Sequence, residues 1–84
     1  MAPELEKYYN NYFSLFRNKG WKQLMEELNN TVAQTNDVQN TKDSDDLFIR
    51  KGQLAVMANI LNLEATIRAS HEQVVAEEQD VQSI

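Results

Sequence analysis

The chain has no cysteine, one proline and two glycines among its 84 residues. Without cysteine there is no disulfide framework and no thiolate metal site, and the redox compartment cannot be read from the sequence. Its single histidine, His71, has Glu72 beside it, but a metalloprotease helix would need a second histidine where Val75 stands. His71 is therefore expected to be an exposed side chain, and no metal or cofactor is implied. Basic residues are also scarce: eight Lys and Arg face thirteen Asp and Glu, for a net charge of -5. That balance argues against nucleic acid as a partner and favours solubility. No apolar run approaches the ~18 residues of a membrane span. The opening MAPELEKYY lacks the basic flank and apolar centre of a signal peptide. A cytosolic location, of a cell or of an infected host, is the expectation.

Few glycines and prolines, and no alternating runs of Val, Ile or Thr, leave little from which strands could start. Glu, Gln, Leu, Lys, Ala and Met are plentiful instead, which points to an all-α chain, with the nine asparagines a mild counter-signal. Pro3 suits the first helical turn, and Glu4 and Glu6 suit its positive end. Leu5, Tyr8, Tyr9, Tyr12, Phe13 and Phe16 recur at three- and four-residue steps, giving a first helix over 3–17. Asn18 is a good N-cap for a second helix over 18–38, with Trp21, Leu24, Met25, Leu28 and Val32 on one stripe. NTKDSDD (40–46) is the one clear turn cluster, and Asp43 or Ser44 can cap a third helix over 44–79. A loose acidic end is expected beyond it.

At 1.5 Å per residue the third helix spans roughly 50 Å, which matches the first two laid end to end. The chain therefore reads as a single domain, 1–84. It is an antiparallel helical hairpin: a first arm (1–40) broken near Asn18–Gly20, a turn (41–46) and a long second arm (47–84). A compact arrangement with the first helix folded back is the competing form. If Val38 faces Ser44, Trp21 falls opposite Leu61 and Gly52 opposite Asn30. Gly52 in the middle of a helix costs ~1 kcal/mol against alanine, and such a glycine often admits a close neighbour.

A chain this short buries only ~60–65% of its unfolded surface, so self-association is expected. The apolar face from Leu54 to Ile67 is wider than one partner helix requires, and homo-oligomerisation is assigned to it. The residues assigned to core or interface are Tyr8, Tyr12, Phe16, Trp21, Leu24, Leu28, Leu54, Met57, Ile60, Leu61 and Ile67. Arg17, Lys19, Lys22 and Arg68 gather around the elbow in this register and could contact an anion. The plainer reading pairs Arg68 with Glu64 and leaves the others solvated. Ser70 and His71 form no dyad, because neighbours on a helix point ~100° apart. The acidic pairs diverge likewise, so no enzyme is expected. Glu4, Glu6, Glu77, Glu78 and Asp80 would gather at one acidic pole.

The stretches YFSLFRNKGWKQLMEEL and DLFIRKGQLAVMANILNLEATI resemble small uncharacterised helical proteins of T7-like tailed bacteriophages (podoviruses). The likeness lies in the GWK and LMEE steps and in R-x-G-Q followed by an apolar run to LNLE; it covers Phe13–Leu28 and Leu47–Glu64. Lys19 stands where that pattern has a proline or a small residue. The resemblance implies a phage origin and a helical hairpin, in the host cytoplasm or the virion, and brings no catalytic residues. The expected function is protein–protein interaction in phage structure or assembly. The alternative is a regulatory or inhibitory binder of a host enzyme, through the acidic pole or the aromatic face.

Overall fold

A computed structural model describes residues 1–36 and 42–82, and these residues are all-helical. Four helices follow in order: α1 (Pro3–Arg17), α2 (Lys19–Thr35), α3 (Ser44–Leu61) and α4 (Leu63–Gln82). The expected end of the second helix at 38 and the start of the turn cluster at 40–41 lie outside the described residues, as do the Asp80 side chain and residues 83–84.

A single residue makes the first joint. Asn18 is extended, with φ -70° and ψ 135°, between two helical segments. Its N–H donates to Leu15 O, closing α1, and its side-chain oxygen accepts from Gly20 N at 2.7 Å, opening α2. Gly20 is suited to this position because a Cβ there would meet Asn18 Oδ1 at 3.0 Å. Asn18→Ala should lower stability by about 1 kcal/mol through loss of the cap, whereas Asn18→Asp should largely preserve it. Thermal melts of the two variants separate these outcomes.

The third expected helix is two helices. Asn62 interrupts it in a right-handed helical conformation (φ -89°, ψ -3°). Backbone bonds run through this residue, from Asn62 N to Ala58 O at 3.0 Å and from Thr66 N to Asn62 O at 2.9 Å. The joint is thus a local irregularity at an asparagine, a residue whose side chain competes for backbone partners. α4 also runs past the expected limit at 79, to Gln82. α2 closes at Thr35, where Asn36 N–H returns to Val32 O.

α1 packs against α4, and α2 against α3. Contacts descend the second arm as they ascend the first: Met1 meets Glu78, Tyr9 meets Ser70 and Thr35 meets Arg50. Interpolating between the last two pairs sets Asn18 about opposite Asn62. The molecule measures 60 × 28 × 17 Å. Its length agrees with the roughly 58 Å that 44–82 span as helix at 1.5 Å per residue. Its radius of gyration, 18.1 Å, exceeds the ~12 Å of a compact domain of this length.

Candidate functional site

The buried core lies where α1 meets α4 and where α2 begins. Tyr9, Phe16, Trp21 and Ile67 are its buried residues, with Leu5, Tyr12, Phe13, Met25, Leu63 and Val74 packed around them. Phe16 and Trp21 face each other across the Asn18 joint with ring centroids 5.3 Å apart. The second-arm residues in this cluster are Leu63, Ile67 and Val74; Leu61, expected opposite Trp21, lies outside it and is half-buried. Tyr9 O–H and Ser70 Oγ share a 2.6 Å hydrogen bond that ties α1 to α4. His71 is half-buried rather than exposed, since the Tyr9 and Phe13 rings pack edge-to-face with it, each with its centroid 5.0 Å from that of the imidazole. Ser70 is thus engaged by Tyr9 and His71 by two rings, an arrangement of packing.

Of the residues assigned to core or interface, Phe16, Trp21 and Ile67 are buried, and Tyr12, Leu28, Leu54, Met57 and Leu61 are half-buried. Tyr8, Leu24 and Ile60 are exposed. The aromatic stripe splits in two. Tyr9 and Phe13 turn towards α4, while Tyr8 packs edge-on against Tyr12 on the open side. Partial burial, then the neighbouring Tyr12, raises the Tyr8 phenol above its ordinary value.

Of the four elbow cations, Arg68 is engaged within the chain. Arg68 donates to Glu64 Oε2 at 3.1 Å, and its guanidinium lies over the Phe13 and Phe16 rings at 5.3 and 5.8 Å. Arg17, Lys19 and Lys22 are exposed, and the ion pairs of the described residues do not include them. At the acidic pole, Glu78 is paired with the Met1 amine at 2.7 Å. Among the described residues no cluster of His, Asp and Glu is placed to hold a metal, and no helix is long and apolar enough to cross a membrane.

The turn end carries a polar clasp, of which the sequence reading had the Asp43 cap alone. Asp43 caps α3 by accepting from Asp46 N at 2.8 Å, and Asp46 Oδ2 accepts from Lys42 N and from Arg50 Nε. Arg50 also donates to Thr35 O at 3.0 Å, satisfying a carbonyl that the end of α2 leaves without a helical partner. The bond from Lys42 N, followed by Arg50, holds the Asp46 carboxyl below the usual aspartate value. A carboxylate lowered on folding contributes stability that is present above its unfolded pKa, about 3.9. That stability is lost as pH falls through the lower folded value. The Lys42 amide, held by Asp46 Oδ2, should therefore open as the pH drops below about 4, and Asp46→Ala should open it at neutral pH. Hydrogen exchange at that amide reads both.

α3 is the anomaly of the fold. It is rich in Leu, Ile, Val, Phe and Met, yet none of its residues is buried. Leu54, Met57 and Leu61 are half-buried on one side of it. On the other, Phe48 is 67% exposed, Ile49 61% and Val56 59%. At 100° per residue, Phe48, Gly52, Val56, Ile49 and Ile60 cover about 120° of its circumference. Beside this stripe runs an open groove of about 540 Å³ between α2 and α3, lined by Thr31, Thr35, Gly52, Gln53, Val56 and Met57. Among the described residues Gly52 has no close neighbour outside its own helix backbone, because a Cβ built there would meet nothing within 4 Å.

Comparison with protein-family models, with curated proteins and with solved structures gave no match to this chain.

Proposed function

We propose that this chain is a non-enzymatic protein–protein interaction module that docks through the outer face of α3. One observation carries the reading: a helix with apolar residues on all sides, of which Phe48, Ile49 and Val56 are each more than half exposed. Such a helix ordinarily belongs to an interior. Covering that stripe would contribute ~25 cal/mol per Å² before ordering costs. A photo-cross-linking residue at position 48 should give a discrete protein adduct in the producing cell, and the same residue at position 72 on α4 should not. No adduct from position 48 would sink the reading.

Within that function we favour a small phage structural or assembly-associated protein, on the resemblance in 13–28 and 47–64. Proteomics of purified virions and of their precursors tests this, because an assembly component should co-purify with one or the other. Inhibition of a host enzyme is the alternative. The acidic pole supports it better than the aromatic stripe, whose Tyr9 and Phe16 are covered within the chain.

A further inference from the structure

The next step rests on α3 being the docking face, and it identifies the occupant. We propose that α3 crosses α3 of a second copy about a two-fold axis at Gly52, with Phe48 of each copy seated in the groove beside Val56 of the other.

Gly52 is the first reason. A glycine inside a helix costs ~1 kcal/mol relative to alanine, and no described residue of its own chain uses the space it leaves. A helix crossing does use it, because two backbones approach closest where Cβ atoms are missing. The second reason is self-complementarity. Phe48 and Val56 lie one turn to either side of Gly52 on the same exposed stripe, one as a protruding ring and the other as a wall of the groove. An axis through Gly52 in an antiparallel pair brings Phe48 of each copy to Val56 of the other, as an isologous interface requires. An unrelated partner would need no such symmetric placement.

Charge gives the third reason. A quarter of the chain is charged, with a net charge of -5, yet the run from Gly52 to Leu63 has no charged residue. The antiparallel crossing sets this run against residues 42–51 of the other copy, so the charges there, among them Lys51 over its own Phe48 ring at 5.9 Å, meet an uncharged stretch and not their like. Crossing at Gly52 also leaves the ends that carry Glu4, Glu6, Glu77 and Glu78 far apart. Surface area agrees: the chain exposes 6611 Å², against about 5,100 Å² for a compact monomer of its mass. The excess, about 1,500 Å², exceeds the ~800 Å² that each partner buries in a standard interface.

Sedimentation equilibrium of the full chain, from low to high micromolar concentration, should show a monomer–dimer equilibrium. Gly52→Leu places a side chain in the crossing, and its Cβ meets no described residue of its own chain within 4 Å. It should weaken the dimer roughly tenfold or more with helicity retained. Phe48→Asp alters a side chain already exposed and should do the same, whereas Glu72→Gln on α4 should leave the dimer unchanged. A dimer indifferent to both α3 variants would mean that the copies meet elsewhere, and would overturn the proposal. A chain that stays monomeric also overturns it, and position 48 then separates the two ideas. A discrete cross-linked adduct with another protein would keep α3 as a docking face for a different partner; no adduct would remove both.

Discussion

Trp21→Ala is expected to cost about 3–5 kcal/mol, the range for deleting a buried large aromatic. A chain of this length has a total stability on the order of 4–12 kcal/mol. Among the described residues its buried core holds only Tyr9, Phe16, Trp21 and Ile67, which places it near the lower bound. The variant should therefore be largely unfolded at room temperature. The loss has a structural basis beyond area, since Trp21 stands in the first turn of α2 with its ring against Phe16 of α1. Removing it unfastens the two halves of the first arm from each other and from α4. Far-UV circular dichroism during a thermal melt is the measurement, because the substitution removes the only tryptophan. A cooperative transition within a few degrees of the parent would show that Trp21 contributes little to the core.

Ile67→Asp should be as damaging by another route. Ile67 is the one buried residue among those described in the second arm, and the described buried groups around it are aromatic. A carboxylate there would be desolvated without a partner, which costs several kcal/mol or forces it to take up a proton. Loss of the folded baseline at neutral pH, with partial recovery in mild acid, is the expected pattern. Leu61→Asp supplies the contrast. Leu61 is half-buried outside the cluster, so that substitution should be milder, and equal severity at both positions would show that the core extends into α3.

Helix starts were legible because each has a local chemical cause. Pro3 opens α1, Asn18 caps α2 and Asp43 caps α3, and each depends on a side chain within a few residues of the backbone it serves. The joint at Asn62 left no such trace. Its backbone remains helical and its hydrogen bonds continue, so no capping pattern precedes it. The choice between Tyr8 and Tyr9 was equally closed to inspection. Both lie on apolar stripes about 100° apart on one helix, and only the position of α4 decides that Tyr9 is covered. Arg50 reaching Thr35, and His71 seated between Tyr9 and Phe13, depend on the same long-range geometry. The wide apolar face was placed at Leu54–Ile67, but Ile67 is consumed within the chain. The open stripe sits further towards the turn, from Phe48 to Ile60.

The placement of the core has a consequence for how the chain acquires its structure. The hairpin of α2 and α3 closes over a short sequence separation, with Thr35 and Arg50 only 15 residues apart, but holds little buried surface. The buried cluster depends on segments as distant as Tyr9 and Ser70, 61 residues apart. Closing that longer loop instead of the shorter one adds only ~1.2 kcal/mol, at 0.6 kcal/mol per doubling. It does delay the reward until both ends of the chain have met. Early turn formation at α2–α3 therefore speeds the search without securing its result. In the single folded chain, protection from amide exchange should be greatest beside α1 and α4 and fall towards the turn.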